Sequence, residues 1–167
     1  MCLGLPSWIL PQPLEGTRTV DTYPYELLDG RRFQRLAQSL LVREYPNIQC
    51  MPVAGPDGGR DAIGMQQADE EAHLTDATIF QVKFREPQLL GTPTTDDLYN
   101  WLTEAVLRER PKILRLQERG AREYILITNI PATGHLDSGL RDRIQTFLEE
   151  TLSIPARCWW RDDRSIK

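Results

Sequence analysis

Asp61, Gln81 and Lys83 fall together if one stretch of this chain folds as a β-hairpin. Asp61 follows Gly55-Pro56-Asp57-Gly58-Gly59-Arg60, where adjacent glycines let the backbone turn sharply before a short β-reading stretch. An acidic loop leads to a second strand, Ala77-Thr78-Ile79-Phe80-Gln81-Val82-Lys83-Phe84. Its period of two puts Phe80, Val82 and Phe84 on one face and Ile79, Gln81 and Lys83 on the other. The first set is apolar and is expected to face the core. The second sets an amide beside an ammonium on the opposite face. Pairing of the two strands makes Asp61, Gln81 and Lys83 converge. A carboxylate, an amide oxygen and a lysine in one place can hold a hard divalent cation and a water beside a phosphate.

The elements that position this hairpin follow from patterning. Asp29 can cap a helix running to about Tyr45, with Phe33, Leu36, Ala37, Leu40 and Leu41 as its apolar stripe. Ile48 to Val53 reads as a first strand. Asp69-Glu70-Glu71 and His73 have no metal-ligand spacing and read as a solvated hairpin tip. Thr94-Thr95-Asp96-Asp97 opens a long helix with a capping box, and Pro111 is expected to kink or restart it before Gly120 ends it. Tyr124 to Asn129 is a continuous apolar run, as in a strand buried on both faces. A helix from about Ser138 to Leu152 and a last strand, Ala156 to Trp160, complete a strand–helix–strand unit with parallel strands. The expected fold class is α/β, a mixed central sheet flanked by helices on both faces. Residues 1–26, rich in proline, form an irregular arm, and residues 27–167 form one domain.

Composition narrows the function classes. The chain has 167 residues, 40% of them hydrophobic and 26% charged, which suits one globular domain. A net charge of −4 gives no global attraction to a polyanion, so nucleic-acid contact would depend on local basic patches. The candidates are Arg31, Arg32 and Arg35 on the first helix, Arg60 beside Asp61, and Arg108 and Lys112 in the most basic helical segment. The competing reading makes the helical cations a solvated surface and Arg60 an ion-pair partner of Asp57. Cys2, Cys50 and Cys158 are odd in number and widely spaced, as expected of reduced thiols in a cytoplasmic protein. No signal peptide or membrane-spanning segment is read, so no membrane association is expected.

Asp61 followed one hairpin later by Gln81-Val82-Lys83, with the Gly58-Gly59-Arg60 lead-in and this order of elements, resembles the PD-(D/E)xK nucleases, in particular the Mrr-like restriction-endonuclease branch with Gln-x-Lys. The likeness spans roughly residues 27–163, and includes the Thr-Asn-Ile-Pro turn and the Trp-Trp-Arg-Asp-Asp tail. It implies a restriction-endonuclease-like fold and an endodeoxyribonuclease using Mg²⁺ or Mn²⁺ on double-stranded DNA. Asp61, Gln81 and Lys83 would be catalytic, and Asp61, Gln81 and the backbone of Val82 would hold the metal. Relatives often bring a glutamate from the first helix in a Phe-Glu-x-Leu setting. Here Phe33-Gln34-Arg35-Leu36 puts Gln34 there, an accessory oxygen with one charge fewer. Such domains often serve as effectors in antiphage defence or restriction, so a homo-oligomer or a fused sensor or oligomerisation module is expected. The stop after Asp162-Asp163 fits a module of a longer protein. A catalytically inactive binding or interaction module on the same fold, and a nuclease for branched or modified DNA, are the alternatives. Alanine at Asp61 or Lys83 is expected to leave the fold intact, both bordering a solvent-filled cleft.

Overall fold

The computed structural model describes residues 27–53, 60–64, 76–87, 92–136 and 138–163. The N-terminal arm, the Gly55–Gly59 turn and the Asp69–His73 loop lie outside them. The element order is α1 (Gly30–Glu44), β1 (Ile48–Cys50), β2 (Ala62–Gly64), β3 (Ala77–Lys83), α2 (Thr95–Glu118), β4 (Ala121–Thr128), α3 (Leu140–Thr151) and β5 (Ala156–Trp159). The five strands form one mixed sheet in the order β1-β2-β3-β4-β5. β1 to β3 pair antiparallel, and β3 to β5 pair parallel. β3 is thus the strand at which strand direction stops alternating.

Each helix is placed by its apolar stripe. Asp29 caps α1 by accepting from the Arg32 N–H, and the helix buries Phe33, Ala37 and Leu41 against Ala62, Phe80, Ile125 and Ile127. The other sheet face, with Ile79, Tyr124 and Leu126, packs against Leu98, Leu102 and Val106 of α2 and Ile144 and Leu148 of α3. Covered on both faces, β4 can be apolar along its length. The same arrangement corrects one expectation. The face of β3 carrying Ile79 and Gln81 is a second core, and Gln81 is only 1% exposed.

The capping box of α2 is present, with Thr94 Oγ1 accepting from the Asp97 N–H at 3.1 Å and Asp97 Oδ2 from the Thr94 N–H at 2.9 Å. α2 continues through Pro111 as one helix, so Pro111 does not start a new one. Proline removes the hydrogen bond that Leu107 C=O would accept, but Leu107 is 50% exposed, and water can serve that carbonyl. Gly120, with φ of 110°, then takes the left-handed conformation that ends the helix and turns the chain into β4. Among the described residues no helix is long and apolar enough to cross a membrane.

Candidate active site

The register places Ala62 opposite Phe80, and the Asp61 N–H donates to Phe80 C=O at 2.9 Å. Beyond this bond β2 ends, and the Asp61 side chain takes over the pairing. Its Oδ2 accepts from the Val82 N–H at 2.7 Å, and its Oδ1 accepts from Gln34 Nε2. One turn along α1, Gln38 Nε2 donates to Met51 C=O at 2.8 Å and to Asp61 C=O at 2.9 Å. Two glutamines four residues apart on one helix therefore grip the mouth of the hairpin. Gln38 escaped the sequence reading, although its spacing from Gln34 was the available signal.

Asp61 is 6% exposed and accepts two hydrogen bonds, so it does not border an open cleft. Alanine there removes a structural acceptor as well as a charge, so a loss of stability is expected in place of an unaffected fold. Gln81 Oε1 accepts from the Tyr124 hydroxyl at 2.6 Å in a buried setting. Burial foremost, with the negative charges of Glu109 and Asp61 behind it, pushes the Tyr124 hydroxyl well above its ordinary pKa. It therefore stays protonated as a donor. The sequence presented Tyr124 only as part of an apolar run, yet a buried tyrosine hydroxyl requires a partner. Its place opposite Ile79 in the parallel register brings it to Gln81.

Lys83 reaches across to α2, where its Nζ lies 3.3 Å from Glu109 Oε1, while Lys112 Nζ lies 2.8 Å from Glu109 Oε2. Burial raises the pKa of Glu109, but the two lysines outweigh it and hold the carboxyl below its ordinary range. Glu109 is thus a charged clamp on the candidate lysine. The sequence offered it only as one acid among several on a charged helix face. Just past β3, Asn129 accepts from the Arg85 N–H at 2.8 Å and donates to Arg85 C=O at 2.9 Å. This side-chain amide ties the exit of β3 to the end of β4, immediately beyond Lys83.

Gln34, Asp61 and the Val82 N–H are thus joined through α1, β2 and β3, while the Gln81 and Lys83 side chains pair with Tyr124 and Glu109. Arg60 and Lys112 line one depression of about 270 Å³ with Arg115, Leu116 and Arg119. Arg108 is exposed one turn before Lys112, its Nε donating to Glu104 C=O at 3.3 Å. Arg31, Arg32 and Arg35 are exposed on α1, in the layer across the sheet from α2, and Arg32 pairs with Asp29 at 3.6 Å. The candidate cations are therefore divided between two layers.

Among the described residues no group of three or more His, Cys, Asp and Glu converges as a metal-ligand set. The donors at Asp61 are of another kind. In an extended strand, the N–H and C=O of one residue point to the same edge, so Val82 C=O points toward the side where its N–H meets Asp61. One carboxylate, that carbonyl and the amide oxygen of Gln81, which accepts from Tyr124, are hard oxygen donors. This set carries a single negative charge, and hard oxygens of this kind suit Mg²⁺ or Mn²⁺. No protein-family model, curated protein or solved structure matches this chain.

Proposed function

We propose that this domain is a metal-dependent endonuclease of the PD-(D/E)xK kind, with the restriction-endonuclease-like fold and DNA as substrate. The observation that carries the reading is the handover at the end of β2, where the Asp61 carboxylate bonds the Val82 N–H between Gln81 and Lys83. Asp61, Gln81 and Val82 C=O would hold Mg²⁺ or Mn²⁺, which would supply charge relief at the phosphate and a more acidic bound water. Gln34 and the Val82 N–H orient the Asp61 carboxylate. The Tyr124 hydroxyl fixes the Gln81 amide. Lys83, its ammonium kept near by Glu109, would stabilise charge growing on the phosphoryl oxygens.

The single carboxylate and low net charge make weak metal and DNA affinity the expected state of the lone domain. Clustering through a fused sensor or by oligomerisation would raise local DNA concentration and bring two sites to opposite strands. This matches an effector role in antiphage defence or restriction, in the cytoplasm. The one-charge site also favours a second reading, a binding module that keeps the architecture without catalysis. Incubation of supercoiled plasmid with the 167-residue chain and Mg²⁺, alone and fused to an inducible oligomeriser, decides between them. Nicking that rises on clustering and vanishes with EDTA supports the nuclease; no cutting in either form refutes it.

A further inference from the structure

The depression beside the candidate site is lined by four cations drawn from two elements. Lys112, Arg115 and Arg119 recur at i, i+3 and i+7 on α2 and so share one face, while Arg60 enters from the approach to β2. Basic residues near a helix C-terminus ordinarily complement its dipole, which could account for Arg115 and Arg119. That does not account for Arg60, which is brought against them from another segment. Its Nε is buried with no hydrogen-bond partner among the described residues. Glu109 pairs with Lys112 and is shared with Lys83. Converging like charges oppose folding unless an anion offsets them. Planar guanidinium groups at about one helical turn's spacing suit the non-bridging oxygens of a phosphate.

We infer that Arg60, Lys112, Arg115 and Arg119 form a phosphate-binding subsite for a nucleic-acid backbone, separate from the reacting centre and joined to it through Lys112, Glu109 and Lys83. The identity of the ligand as a substrate strand rests on the nuclease reading above; the phosphate chemistry does not. A backbone phosphate seated there engages Lys112 and leaves Glu109 to Lys83. The site lends affinity without base preference, since phosphate contacts position a strand and carry no sequence information.

The test is equilibrium binding of a short fluorescent duplex DNA, and of single-stranded RNA of equal length, by the 167-residue chain in EDTA over a range of KCl. Arg115→Gln/Arg119→Gln should weaken binding and reduce the slope of log affinity against log salt by about 0.9 on duplex DNA, for the one phosphate no longer neutralised. Arg115→Lys/Arg119→Lys should retain most of the slope. Arg122→Gln, on a 68% exposed side chain paired with Asp76, controls for loss of one exposed cation outside the depression and should change nothing. A slope reduced on either ligand supports the subsite and tells DNA from RNA. Unchanged slopes on both, or an equal loss in Arg122→Gln, overturn it. Plasmid nicking in Mg²⁺ is scored separately: a chain that binds through these arginines without cutting refutes the nuclease and leaves the subsite standing, and cutting with unaltered slopes does the reverse.

Discussion

Tyr124→Phe removes one oxygen atom from the centre of the molecule and leaves the ring in place. The hydroxyl lost is a donor at 2.6 Å to Gln81 Oε1, and Tyr124 and Gln81 are 0% and 1% exposed, so bulk water cannot replace it. A buried hydrogen bond contributes a net of about 1 kcal/mol, and depriving a buried acceptor of its donor costs about 1–3 kcal/mol. A loss of about 1–2 kcal/mol is expected for this pair. For a chain of this size that lowers Tm by roughly 2–8 °C. Thermal melts followed by circular dichroism measure it. A double-mutant cycle with Gln81→Met isolates the pair, and the double variant should lose about 1 kcal/mol less than the sum of the singles. Melting within about 1 °C of the parent, together with additive singles, would refute the reasoning. It would mean that the hydroxyl does not hold Gln81 and that the amide is positioned by other contacts.

Asp61→Asn keeps an acceptor for the Val82 N–H and should fold, yet lose on the order of a hundredfold or more in plasmid cleavage; cutting at the parental rate would remove Asp61 from the site. Lys83→Ala should lose cleavage similarly with little change in melting, because Glu109 keeps Lys112 2.8 Å away; residual cutting near the parental rate would exclude Lys83 from the chemistry. Gln34→Glu places a second carboxylate against Asp61 and should lower Tm in EDTA but recover it with Mg²⁺ or Mn²⁺, a rescue absent from the parent; melting insensitive to metal would argue against an ion there. The depressed pKa of Glu109 stabilises the fold fully above the unfolded carboxylate value near about 4.3, and this contribution fades as pH falls through the folded value. Glu109→Gln should flatten that acid limb in urea titrations, and parallel limbs in the two proteins would show that the ion pairs contribute nothing.

The sequence was most legible where local chemistry and final environment agree. Asp29 and Thr94 cap helices because their oxygens answer local N–H groups, and the apolar run of β4 marks a strand covered on both sides. The opposition of Asp61 to the Gln81 end of β3 follows from strand period and hairpin connectivity. Other features depend on what crosses over the sheet. Gln81 reads as an outward amide until α2 and α3 are seen to cover its face. Glu109 becomes a clamp only because α2 passes within reach of Lys83, which no spacing along the helix encodes. Pro111 reads as a kink or a new helix start, yet the carbonyl it deprives belongs to an exposed turn where water can replace the bond.

The alternation in strand direction has a consequence for how this protein can change. Cys50, Asp61, Lys83, Thr128 and Trp159 all lie at one end of the sheet, by the strand pairings. Residues 51–53, 60, 84–87, 92–94 and 129–136 extend from that end. The connections 45–47, 119–120 and 152–155, together with Gly64 and Asp76, belong to the opposite end. The two ends can therefore be edited independently. Substitutions in 45–47, 119–120 or 152–155 should leave the Asp61 hydrogen bonds undisturbed, whereas substitutions in 84–87 or 129–136 act at the same end of the sheet as Asp61.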